Sequence, residues 1–131
     1  MNEINRMNIP LEKVERFDAI FLNNDEISSC LGCCLSHLLV LKLAKEIKYK
    51  NIWICEDDFT FIISPNELQS NLEYFFKLNV DWRVIMATYN KELTVIQPID
   101  TIIGLTHDAQ NASGYIINHI YLDDLINCIF L

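Results

Sequence analysis

Apolar and polar positions divide this chain into short elements. The polar opening from Asn2 to Val14 reads as the end of a helix followed by a turn at Pro10. Phe17 to Leu22 (FDAIFL) is short and apolar, which predicts a strand. After the turn-rich NNDEISS, Leu31, Leu35, Leu38, Leu39 and Ile47 recur at helical spacing. They predict the buried face of a helix that begins near Ser28 to Cys30 and ends around Tyr49 to Asn51. NIWICE (Asn51 to Glu56) is apolar and bounded by polar residues, the pattern of a fully buried strand. Ser64, Pro65 and Glu67 then form a helix start: an N-cap, a proline at the first helical position and a capping box. Leu68, Leu72, Phe75 and Phe76 give that helix its apolar face. WRVIMATY (Trp82 to Tyr89) predicts another strand, with two shorter candidates at TVIQ and TIIGL. Beyond the polar THDAQNASG, the chain runs from Tyr115 through Ile116 and Ile117 into a last helical pattern with Leu122, Leu125, Ile126 and Ile129.

Strands alternating with helices predict an α/β fold, a parallel sheet flanked by helices. Such sheets bind ligands outside the carboxyl ends of their strands. Glu56, Asp57 and Asp58 stand there, directly after the NIWIC strand. Hard divalent cations take oxygen ligands, so a carboxylate cluster at a strand end suits Mg²⁺ or Mn²⁺ carrying a diphosphate. The same three acids also suit a solvated turn.

Composition narrows the classes. The 131 residues suffice for one domain, taken here as 1–131, and 51% hydrophobic content with 3 Gly and 3 Pro describes a packed chain. A net charge of −8 disfavours nucleic acid as partner. No apolar run approaches the roughly 18 residues of a membrane span, and the polar start lacks a signal-peptide core, which together favour the cytoplasm. The 5 cysteines are an odd number and read as reduced thiols. Cys30, Cys33 and Cys34 include a C-x-x-C spacing with His37 four residues after Cys33, so a thiol or zinc protein is one reading. No second C-x-x-C follows, and the leucine-rich surroundings favour buried thiols acting as small hydrophobes.

GCCLSHLLVLKLAKEIKYKNIWICEDDFTF (Gly32 to Phe61) resembles the central signature of glycosyltransferase family 25, the lipooligosaccharide and collagen galactosyltransferase type. The matching residues are Gly32, Cys33, Ser36 and His37, then Glu56, Asp57 and Asp58. VERFDAI is similar to an upstream Arg-x-x-Ala segment at Arg16 and Ala19, and QNASGYIIN to a later small-residue and aromatic segment at Gly114 and Tyr115. The resemblance implies a GT-A-like, Rossmann-related sheet flanked by helices. It also implies a UDP-galactose or UDP-glucose donor, an acceptor hydroxyl on a saccharide, lipooligosaccharide or protein, and Mn²⁺ (or Mg²⁺) held by Glu56, Asp57 and Asp58. Transfer would be inverting, with a carboxylate as general base and Asp108 as its candidate. Arg16, Ser36, His37, Gly114 and Tyr115 are the implied substrate-binding residues. Each also has a structural reading: an ion pair for Arg16, a backward bond within its helix for Ser36, packing for His37 and Tyr115, a tight turn for Gly114.

Family members open on a strand that this chain lacks, and the last helical pattern stops without a helix-stop signal. The expectation is a partial domain, truncated at both ends and lacking the first strand, with an exposed sheet edge open to self-association. The alternative function is a catalytically inactive remnant that binds a metal or a partner.

Overall fold

A computed structural model describes residues 2–23, 25–88, 96–106 and 113–129. The elements are α1 (Asn2–Arg6), a 3₁₀ turn (Leu11–Lys13), α2 (Glu26–Ile47), β1 (Asn51–Cys55), α3 (Pro65–Lys77) and β2 (Val84–Met86). They continue with β3 (Ile96–Pro98), β4 (Gly104–Thr106), β5 (Gly114–Asn118), a second 3₁₀ turn (His119–Tyr121) and α4 (Leu122–Ile129). The chain is therefore mixed α/β.

The sheet differs from the parallel one that the alternation predicts. Its order is β1-β5-β2, so the last strand lies between the other two. The Glu56 N–H donates to the Ser113 carbonyl at 2.8 Å, and the His119 N–H to the Lys50 carbonyl at 2.9 Å. Residues advancing along β1 thus meet residues receding along β5, which makes the pair antiparallel. The Ala87 N–H reaches the Gly114 carbonyl at 3.0 Å, joining the end of β2 to the start of β5. β2 therefore also runs against β5, and β1, α3 and β2 keep the sense of a crossover with β5 inserted. β3 and β4 form a separate antiparallel ladder pairing Ile96 with Thr106, Gln97 with Leu105 and Pro98 with Gly104.

The chain divides into two compact units, Met1–Val14 with Trp53–Ile116, and Glu15–Ile52 with Ile117–Leu131. In the first unit two aromatic clusters dominate. Trp53, Phe59 and Phe61 meet edge to face, with ring centroids at 4.9 Å for the two phenylalanines and 5.3 Å for Trp53 and Phe61. Phe75, Phe76 and Trp82 form the second cluster. A five-residue helix such as α1 has too few internal bonds to stand alone. It is fastened instead by Glu3, which accepts the Phe61 N–H at 3.1 Å, and by Arg6, which donates to the Phe61 carbonyl at 2.5 Å. α3 starts as its capping box predicts, the Ser64 hydroxyl accepting the Glu67 N–H at 3.2 Å.

The second unit is built on α2. Its N-cap is Asp25, whose carboxylate accepts the Ser28 N–H at 2.9 Å, so the helix begins ahead of the predicted Ser28 to Cys30. At the other end Lys48 adopts the left-handed conformation (φ 64°) and returns its N–H to the last carbonyls. By length and composition α2 could cross a membrane (mean hydropathy 1.7), which the interrupted apolar runs of the sequence did not predict. Here it packs with α4, burying Leu38, Leu41 and Ala44 with Ile117, Leu122 and Ile126.

The buried stripe of α2 is Gly32, Ser36, Leu38, Leu41 and Ala44; the predicted face members Leu31, Leu39 and Ile47 are exposed. In a helix this apolar several stripes satisfy the same periodicity, and the neighbours select one. All five cysteines are exposed and none is in a disulfide, against the prediction of buried thiols, because the packed stripe does not include Cys30, Cys33 or Cys34. Two strands also differ. Phe17 to Leu22 belongs to no sheet, and β1 is half-buried, with Asn51 and Cys55 at its exposed ends.

Candidate functional site

β1 delivers the acidic cluster into a tight turn. The Phe59 N–H donates to the Glu56 carbonyl at 3.1 Å, closing a four-residue turn with Asp57 and Asp58 at its corner. Glu56 is half-buried, while Asp57 and Asp58 are exposed. Both ends of the turn are held: Glu56 through its N–H on the Ser113 carbonyl, and Phe59 by the aromatic cluster behind it. Gly114 makes that packing possible. A Cβ on Gly114 would lie 2.1 Å from the Phe59 ring, so the strand approaches the ring at a distance that only glycine permits. Gly114 is buried, and Tyr115 is 7% exposed. The structure thus brings Gly114 to the back of the acidic turn, as packing. Cys55, just before the turn, keeps part of its surface accessible, yet desolvation of its sulfur pushes the thiol up to about 11.

Arg16, Ser36 and His37 belong to the second unit. The Ser36 hydroxyl donates to the Gly32 carbonyl at 2.7 Å and accepts the Ile20 N–H at 2.8 Å. A Cβ on Gly32 would lie 2.5 Å from the Ile20 carbonyl oxygen. The spacing of Gly32 and Ser36, one helical turn apart, therefore receives the backbone of Ile20 against α2. His37 is half-buried and already engaged by a neighbour, and Arg16 is almost fully exposed with Asp18 at 3.6 Å. Asp108 lies outside the described residues.

Asp100, an acid in the same half of the chain as Asp108, has a structural post. One carboxylate oxygen accepts the N–H groups of Ile102 and Ile103 at 2.7 and 2.8 Å, the other the Tyr74 hydroxyl at 2.8 Å. The two amides, then the Tyr74 hydroxyl, hold its carboxyl below the usual range. The first unit also has an open cleft of about 810 Å³ walled by Trp53, Leu68, Leu72 and Phe76; among the described residues, none of the predicted site residues lines it.

Sequence reasoning missed the pairing of Gly114 with Phe59 and the fastening of Phe61 by Glu3 and Arg6. The Gly114–Phe59 approach had one signal, a glycine heading a strand, where a side chain would otherwise pack. The second had none, since Glu3 and Phe61 stand 58 positions apart. No protein-family model matches the chain, and no curated protein is similar enough to be matched with it.

Proposed function

We propose that this protein transfers a hexose from a UDP-sugar to a hydroxyl acceptor, using a divalent cation held at the Glu56–Asp58 turn. The observation that carries the reading is the turn itself: two exposed carboxylates on a backbone anchored at both ends, at the carboxyl end of β1. An all-oxygen donor set of this kind fits Mn²⁺ or Mg²⁺, which leaves coordination positions for phosphate oxygens. Asp57 and Asp58, with Glu56 beside them, would hold the ion. When bound, the ion neutralises charge developing on the departing diphosphate.

The chain's own contribution is positional. A turn with its ends fixed loses little conformational freedom on binding, so its carboxylates meet the cation at small entropic cost. The resemblance of Gly32 to Phe61 to the family 25 signature supports the sugar-nucleotide choice among phosphate-bearing ligands. A GT-A-like arrangement and inversion at the anomeric carbon are part of the same proposal.

Calorimetric titration of UDP with and without Mn²⁺, repeated on Asp58→Ala, tests it. Binding that requires the metal and is lost in the variant supports the anchor, and UDP-sugar hydrolysis then becomes the assay for transfer. Folded protein that binds no UDP under either condition refutes the reading and leaves the acids as a solvated turn.

A further inference from the structure

Within the second unit, Glu15 to Asn23 runs without helix, turn or bend and pairs with no strand. Its composition is that of a strand, FDAIFL, and its large side chains stand in solvent: Phe17 is 39% exposed and Phe21 74%. The Ile20 N–H donates to the Ser36 hydroxyl, and the Ile20 carbonyl oxygen faces Gly32. In an extended chain the N–H and C=O of one residue point to the same side, and the next residue's point to the other. Ile20 therefore turns its peptide groups to α2, and Phe17, Ala19 and Phe21 turn theirs away. Among the described residues those outward groups make no hydrogen bond. Water satisfies them in the monomer; a second strand would do so while covering the phenylalanines.

We propose that this outward edge pairs with the same edge of a second copy, as an antiparallel two-strand junction centred on Ala19. The segment is self-complementary in that register. Ala19 faces Ala19 as a hydrogen-bonded pair, Phe17 faces the second copy's Phe21, and the reverse, so that two aromatic cross-strand pairs form about a two-fold axis. Arg16 then faces Leu22 and Asp18 faces Ile20, so no like charges are opposed. Any other register with Ile20 kept on α2 slides one strand by two residues or a multiple of two, which moves the centre by one residue per step and loses one or both aromatic pairs.

Sedimentation of the whole chain from about 5 to about 500 μM reads the dimer as a concentration-dependent species. Ala19→Pro removes an N–H that the monomer does not use, and symmetry removes it twice; dimerisation should weaken about tenfold or more. Phe21→Lys should act in the same direction, whereas Ile62→Lys, at a fully exposed apolar position of the other unit, should leave the dimer unchanged. Circular dichroism establishes that each variant is folded. Hydrogen exchange locates the edge: the Ala19 and Phe21 amides should slow only at the high concentration, and the Ile20 amide, held by Ser36, should be slow at both. A monomer at every concentration overturns the proposal. So does a dimer that survives Ala19→Pro and Phe21→Lys, or one without concentration-dependent protection at Ala19.

Discussion

Replacing Gly114 by alanine tests how the acidic turn is held. The backbone at Gly114 is not in the left-handed region, so alanine can adopt its conformation. On entropy alone the substitution would stabilise the protein by about 0.4–1 kcal/mol through the unfolded chain. Sterics oppose this. The new Cβ would sit 2.1 Å from Phe59 Cε2 and 2.6 Å from Cδ2, where ordinary contact begins at 3.4 Å. The ring must retreat by about 1.3 Å, a displacement of the size that costs about 1–3 kcal/mol in a packed core. Retreat also disturbs the edge-to-face contacts of Phe59 with Phe61 at 4.9 Å and with Trp53 at 6.5 Å. Such pairs are worth about 0.5–1.5 kcal/mol each. Overpacking exceeds the entropic gain, and the net expectation is a loss of about 2 kcal/mol. In urea, with a slope of about 1–3 kcal/mol/M, the midpoint should fall by about 1 M with the slope unchanged. The cause is checked in a Phe59→Leu background, where the same substitution should cost less than about 0.5 kcal/mol because the obstructing ring is gone. An unchanged or raised midpoint for Gly114→Ala alone would refute the argument, since it would mean that Phe59 does not hold its place against the strand.

Two further outcomes follow from the hydrogen bonds. Ser36→Ala strips the Ile20 N–H of its acceptor in a partly buried place, at a cost of about 1–3 kcal/mol; exchange of the Ile20 amide should accelerate, and unchanged exchange would contradict the docking of this segment on α2. Asp100 has a depressed folded pKa, caused first by the Ile102 and Ile103 amides. Its contribution is therefore present above the ordinary aspartate value near 3.9 and is lost as pH falls through the lower, folded value. Asp100→Asn should thus be less stable than wild type at pH 7 and lose less on acidification to pH 3, measured by urea midpoints; equal losses would show that the carboxylate is not held as described.

The metal expected at Glu56, Asp57 and Asp58 and the self-pairing of the Phe17–Leu22 edge rest on different units and different atoms. Asp58→Ala leaves the edge intact, and Ala19→Pro leaves the turn intact. Loss of one property in either variant therefore does not bear on the other.

Local chemistry alone determined several features of this protein. The start of α3 follows from Ser64, Pro65 and Glu67, which interact within one helical turn of each other. The acids at the end of β1 were legible because a short apolar run stopping at carboxylates has few other readings. Contacts between distant residues decided the rest. Strand direction depended on β5 entering beside β1, since the sequence of an isolated strand does not state which neighbour it will meet. The buried stripe of α2 depended on Ile20 reaching Gly32 and Ser36, across 16 positions in the case of the Ser36 bond, and on α4 covering Leu38, Leu41 and Ala44. FDAIFL read as a strand because its residues favour one, but its backbone met a helix and a serine hydroxyl instead of a sheet. Propensity acts over a few neighbouring residues, whereas the partner of each backbone amide is set by which segments the tertiary fold brings together.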